Sequence, residues 1–302
     1  MYYKLALLTM ESFITYSEKI GKNFLFCQGP GGNTSIKIKD SIYIKKSGYL
    51  LSDSKNNETF KKVNLKEITN FYNNISKDEK FNKALSIETP LHVMLKSKYV
   101  FHYHSIASIL ISSIYEKNRL NKLLIKNKIL PVEYIRPGIN LAKYMISKNK
   151  DYSFKLYFLY NHGIVVEGQN VKKIYKVIND LEKFFSELID YKELRRVTKE
   201  VYNTKLNYKT FLNPNEKINY KIFKEKYLFP DHSVFFPKSF DFDKENIYVK
   251  KELNLTELQY LKTLIILYNL IDRKKIYNFI DTKVGEKLRK SEDEQLRLKV
   301  NK

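Results

Sequence analysis

Tyr99-Val100-Phe101-His102-Tyr103-His104-Ser105 is the stretch on which the reading of this chain turns. It is an apolar run without Gly or Pro, which predicts a strand. In a strand, side chains two residues apart point to the same face, so His102 and His104 are expected side by side. Two imidazoles on one face can close on a single divalent ion. A third from another strand would complete a three-histidine site with an open position for substrate. The chain has 5 histidines in 302 residues, and Asn161-His162-Gly163 offers the candidate third. The competing reading is a set of ordinary core or surface histidines.

Working outward, a helix is expected near 105–116 after the strand, and another over Glu88–Lys96 before it, with Pro90 in its first turn. Residues 4–21 carry Leu5, Leu8, Phe13, Tyr16 and Ile20 at roughly helical spacing, with Gly21 as the expected C-cap. Gly29-Pro30-Gly31-Gly32-Asn33 is a tight turn. It leads into the alternating strand 34–39, whose hairpin partner is 41–45. Residues 53–80 are polar and mixed. A short strand is expected over 128–133, a helix over 140–148, and strands over 156–160 and 163–167. One long helix follows from Val171 to about Arg196. Its stripe of Ile174, Val177, Ile178, Leu181, Phe184, Phe185 and Leu188 reads as core packing. A boundary is placed in the Asn-rich segment 200–220. Beyond it come a strand near 245–250, an apolar helix at 256–271 and a charged tail at 286–302. The expected fold class is α/β: a central, mainly antiparallel or mixed sheet flanked by helices, over 1–200. A smaller α+β extension of unknown role covers 201–302.

The formal net charge is +22. Taken alone it suggests nucleic acid or an anionic membrane. Only seven of the 55 basic residues are Arg, the lysines are spread rather than clustered, and no zinc finger, RNP motif or basic helix is present. The abundance of Lys, Asn, Ile, Tyr and Phe follows AT-rich codon usage. Nucleic acid is therefore not an expected partner, although a general positive field helps to attract a phosphorylated substrate. No run of 18 apolar residues exists, so no spanning helix and no membrane partner are expected. The N-terminus lacks the pattern of a secretory signal. Cys27 is the only cysteine, so no internal disulfide forms, and a cytoplasmic location is expected.

Several other residues could carry chemistry. The turn from Gly29 to Ser35 can cradle a phosphate or carboxylate on its amides, or serve as a plain hairpin turn; it has neither Walker A nor dinucleotide spacing. Ser47-Gly48 could add anion donors, or be a turn. Glu88 can be a metal ligand or a general base, or a dipole partner at a helix start. His92, one turn beyond Glu88, is given a structural role. His232 either contributes to a site or caps a turn.

Taken together, Gly32-Asn33-Thr34-Ser35, Lys46-Ser47-Gly48, Ser86-Ile87-Glu88, His102-Tyr103-His104 and Asn161-His162-Gly163 resemble the class II aldolase/adducin family over residues 1 to about 195. Gly29-Gly31-Gly32-Asn33-Thr34-Ser35, Lys45-Lys46-Ser47-Gly48, Ser86-Ile87-Glu88-Thr89 and Phe229-Pro230-Asp231-His232 resemble the branch that contains the aldolase half of rhamnulose-phosphate aldolase/dehydrogenase fusions. No Rossmann fingerprint follows, so nicotinamide dependence is not expected. The resemblance implies one Zn²⁺ per subunit on His102, His104 and His162, with another divalent metal as the alternative, and Glu88 as acid/base. It also implies a phosphate site lined by Gly32, Asn33, Ser47, Gly48 and Ser86, and a homotetramer with active sites between subunits. His92 matches a position that is not a ligand. Ile87 stands where many members have a second Ser, which removes one phosphate donor. The implied activity is a zinc-dependent aldolase acting on a ketose phosphate or related sugar through a metal-stabilised enediolate. The alternatives within the family are an epimerase or dehydratase on a similar sugar phosphate, or a non-catalytic adducin-like binding protein.

Overall fold

The computed structural model describes residues 2–203, 226–242, 247–249, 253–271, 276–292 and 294–295. Most of the expected boundary at 200–220 lies outside them, as does the end of the charged tail. Contacts divide the chain into two compact units.

The first unit comprises 1–104, 124–159 and 164–181. Its centre is a seven-stranded sheet in the order β3-β2-β1-β4-β7-β6-β5. The strands are β1 (Asn33–Ile38), β2 (Ser41–Lys45), β3 (Phe60–Asn64), β4 (Tyr99–Tyr103), β5 (Leu130–Val132), β6 (Leu156–Leu159) and β7 (Gly163–Gly168). The pairs β1/β2, β1/β4, β2/β3 and β4/β7 are antiparallel, and β5/β6 is parallel. The sheet is thus mixed and mainly antiparallel. β4 is central, and all five of its residues are buried. A strand covered on both faces needs an unbroken apolar run, which is what 99–103 supplies.

Helices α1 (Tyr2–Lys22), α2 (Leu65–Asn74), α3 (Thr89–Met94) and α6 (Ile139–Lys148) belong to this unit. α1 buries Phe13 against the rings of Phe60, Tyr99 and Phe101. Gly21 does not cap this helix. It lies inside the last turn, where a Cβ would meet the Leu51 and Ser52 backbone at 2.2 Å, so it serves close approach rather than chain reversal. Between residues 53 and 80, β3 and α2 occupy a stretch with no clear periodicity. β3 is an edge strand with Val63 as its only buried residue, and α2 buries only Ile68 and Tyr72. An element with one or two buried positions leaves little pattern to read.

The second unit comprises 105–123, 160–163 and 182–302. Ser105 starts α4 (Ile106–Ile114) as its N-cap, accepting from the Ser108 N–H at 3.1 Å, so His104 is the last residue before the turn into the helix. α5 (Lys117–Lys126) was not expected. It buries only Leu120 and Leu124, and the Glu116 carboxylate accepts from the Asn118 and Arg119 N–H groups at its start. The long helix expected from 171 breaks into α7 (Val171–Leu188), whose residues 171–181 belong to the first unit, and α8 (Tyr191–Asn203). Asp190 causes the break by capping α8, its carboxylate accepting from the Glu193 N–H at 3.0 Å. Then come α9 (Pro230–Ser239), the antiparallel hairpin β8 (Phe240–Phe242) and β9 (Ile247–Val249), α10 (Leu255–Ile271) and α11 (Thr282–Arg289). The charged tail therefore begins as a helix. Tyr260 of α10 stacks on Phe235 of α9 at 4.5 Å. Among the described residues, no helix is long and apolar enough to cross a membrane.

Candidate metal centre

The sheet register collects the site. Asn33 is paired with His102 across β1 and β4, and Tyr103 with Ile164 across β4 and β7. The beginning of β1, the ends of β2 and β4 and the beginning of β7 therefore lie at one end of the sheet. His162 stands in the short connection between β6 and β7. Glu88 is the N-cap residue of α3, with φ −87° and ψ 0° and no capping bond from its side chain, so the carboxylate is turned elsewhere.

Glu88, His102, His104 and His162 are all buried, and one ligand atom from each lies within 4.8 Å of the others. His102 Nε2 is 3.1 Å from His104 Nε2 and 3.3 Å from Glu88 Oε1. His102 Nδ1 donates to the Ile164 carbonyl at 3.0 Å, so a neutral ring presents its Nε2 lone pair to the cluster. A lone pair facing another imidazole nitrogen and a carboxylate oxygen is repulsive unless a cation or proton stands among them. Donors about 2.0–2.1 Å from a tetrahedral zinc are separated by roughly 3.3 Å, close to the two spacings observed. By donor type and by spacing, these residues fit a divalent metal.

A second set of bonds fixes the carboxylate. Asn33 Nδ2 donates to Glu88 Oε2 at 2.6 Å. A carboxylate only accepts, so the other end of the amide, Oδ1, faces His92, and Nε2 of that ring is its donor. His92 Nδ1 then accepts from the Ser35 hydroxyl at 2.8 Å. Burial, with His102 adding to it, pushes His92 down to about 3, so the ring is neutral, as one donor and one acceptor require. His92 is thus outside the four-residue cluster but supports it through Asn33.

The other residues expected around the phosphate also converge. Gly32 has φ +68°, and a Cβ there would meet the His102 carbonyl oxygen at 2.9 Å. Lys46 bridges to Leu85, and the Ser47 N–H donates to the Ala84 carbonyl at 2.9 Å, so the Ser47-Gly48 turn lies beside Ser86. Ser86 Oγ accepts from the Glu88 N–H at 3.2 Å. Lys45, whose role the sequence did not reveal, is buried and donates to the carbonyls of Pro30 and Tyr49 at 3.2 and 2.6 Å. It ties the glycine-rich turn to the Ser47-Gly48 turn. The available signal was a lysine at the end of an otherwise apolar strand. His232 belongs to the second unit and is not in the cluster. Its Nδ1 accepts from the Leu228 N–H at 3.0 Å, which is the turn-capping alternative.

The chain belongs to the family described as Class II Aldolase and Adducin N-terminal domain, whose model matches residues 13–189. It is 26% identical over 215 residues to the Bacillus subtilis (strain 168) protein named Uncharacterized oxidoreductase YuxG, covering 61% of this chain and 31% of that protein. The chain thus spans about a third of the length of that relative. It is 28% identical over 165 residues to the L-fuculose phosphate aldolase of Methanocaldococcus jannaschii, covering 51% of this chain and 82% of that one. Among solved structures, the N-terminal class II aldolase domain of a conserved Thermoplasma acidophilum protein aligns with a TM-score of 0.47 at 24% identity, covering 55% of this chain and 87% of that one.

Proposed function

We propose that the chain is a zinc-dependent aldolase that cleaves or forms a C–C bond in a ketose phosphate or related sugar through an enediolate. The observation that carries this reading is the buried group of Glu88, His102, His104 and His162, in a chain of the class II aldolase and adducin family. The likeness to the protein named L-fuculose phosphate aldolase supports a sugar phosphate as substrate.

In this reading His102, His104 and His162 hold the metal. A bound zinc supplies positive charge against which negative charge on the substrate oxygens is stabilised. Glu88 moves the proton on the three-carbon fragment, with Asn33 fixing its carboxylate through Oε2. Gly32, Asn33, Ser47, Gly48 and Ser86 line the phosphate site, where binding remote from the reacting carbons orients them. One hydrogen of Asn33 Nδ2 goes to Glu88, and Oδ1 is engaged by His92, which leaves the second Nδ2 hydrogen to donate to a phosphate. The same reading makes residues 1–200 the catalytic domain and 201–302 an extension, and the assembly a cytoplasmic homotetramer.

Incubation of the zinc-loaded protein with a panel of ketose phosphates tests this. Release of an aldehyde together with dihydroxyacetone phosphate is the expected result. A product that conserves carbon count would make the chain an epimerase or dehydratase. No turnover of any ketose phosphate by a zinc-loaded protein would favour the adducin-like binding role.

A further inference from the structure

We propose that the C-terminal segment acts as a clamp that positions His162, with Asn161 as the positioning residue; the proposal rests on the reading of His162 as a metal ligand. Asn161 is buried and has φ +51°, the left-handed conformation that Asn tolerates better than most residues. Its side-chain amide has two hydrogens. Nδ2 donates to the carbonyl of Leu228 at 3.1 Å and to the carbonyl of Asn278 at 3.1 Å. Its backbone N–H donates to Ser112 Oγ at 3.1 Å. The residue next to His162 is thus held from the C-terminal segment as well as from α4.

The two accepting carbonyls are themselves fixed. Tyr227 and Ile280 exchange backbone hydrogen bonds, Ile280 N–H to Tyr227 O at 2.7 Å and Tyr227 N–H to Ile280 O at 3.3 Å. The Asn278 side chain donates to the carbonyls of Ser112 and Tyr115 at 2.7 and 2.9 Å. The Leu228 N–H donates to His232 Nδ1, so His232 steadies the residue whose carbonyl receives Asn161. The Phe229-Pro230-Asp231-His232 phrase, which the catalytic reading leaves without a task, takes part here. A ligand on a turn is only as well placed as the turn, and losing such outer support costs about 10–100-fold in metal affinity.

The test uses the full chain with Asn161→Gly, which keeps the backbone conformation accessible and removes the side-chain bonds to Leu228, Asn278 and Ser113, and the milder Asn278→Ala. Zinc affinity is read by chelator competition, and the protection of the 161–163 amides by hydrogen exchange. Leu194→Ala, a cavity in α8, is the control for lowered stability alone. Zinc binding weakened by about 10–100-fold and faster exchange at 161–163 in both clamp variants, with parental affinity in Leu194→Ala, is the expected result. Parental affinity and exchange in both clamp variants overturn the proposal, as does equal weakening in the control. If the parental chain takes up no zinc, the metal reading falls and exchange alone decides the clamp: faster in Asn161→Gly upholds it, unchanged refutes it. Should Asn161→Gly fail to fold, Asn278→Ala decides on the same readouts.

Discussion

Asn33 donates its side-chain amide to the Glu88 carboxylate at 2.6 Å, and this one bond joins the glycine-rich turn to the group proposed to move the proton. Asn33 leads β1, is paired with His102 in the sheet register, and is held from behind by His92. The carboxylate is therefore referenced to the strand that carries His102, with His104 one residue beyond its end. A base placed this way needs little reorganisation when a substrate arrives.

Glu88→Gln separates binding from proton transfer. The amide oxygen can still accept from Asn33, and three imidazoles remain, so the fold and most of the zinc are expected to stay. Turnover should fall by about 10² or more. Steady-state rates beside metal analysis check this, and unchanged turnover would remove Glu88 from the mechanism.

His92→Phe fills the space but leaves Asn33 Oδ1 and the Ser35 hydroxyl without their ring partner. We expect parental zinc content, a KM within a factor of about two, and a kcat lower by roughly tenfold as the carboxylate loses its fixed orientation. His92→Gln, which can still donate to Asn33, should recover part of the loss. An equal loss in both variants would mean that His92 only fills the core.

Gly32→Ala places a Cβ on a backbone with φ +68°, 2.9 Å from the His102 carbonyl oxygen. The strain and the close contact predict a loss of about 1–3 kcal/mol in stability and weaker zinc binding, since the strand bearing His102 must move. Denaturant unfolding of the zinc-free protein and metal titration measure the two effects. A variant with parental values in both would show that the turn adjusts freely.

The elements of this fold that the sequence made legible share one trait: the residues that mark each of them are close together in the chain. β4 announced itself because a strand covered on both faces leaves an apolar run, and His102 and His104 stood within it. The break between α7 and α8 was missed because no Gly or Pro marks it and apolar residues resume at Leu194, Val197 and Val201, while the cap that begins α8 is a single side chain. β3, α2 and α5 bury too few residues to leave a period. The support behind Glu88 was partly visible, since His92 lies one turn from it. Its bonds to Asn33 and Ser35 cross 59 and 57 residues and exist only once β1 lies beside α3. Asn161 was visible as part of a phrase, but its partners at 228 and 278 lie 67 and 117 residues further along the chain and meet it only in the folded protein.

Lys37 gives a pH signature. It donates to the carbonyls of Val93 and Leu95 at the end of α3, and burial pushes its ammonium group down to about 8 from 10.5. Between those values the unfolded chain binds a proton that the folded chain has lost, so stability rises with pH there. The wild type should therefore gain stability relative to Lys37→Met as the pH is raised from about 8 toward 10.5. Urea midpoints of both proteins across that range measure it; a constant difference would mean that Lys37 keeps its proton.

Metal content of the purified chain, set beside a His102→Ala/His104→Ala double variant, tests the central claim most directly. About one zinc per subunit in the parental protein, lost in the variant, is the predicted result. A parental protein that stays metal-free when zinc is supplied, or a variant that keeps its metal, would contradict the account.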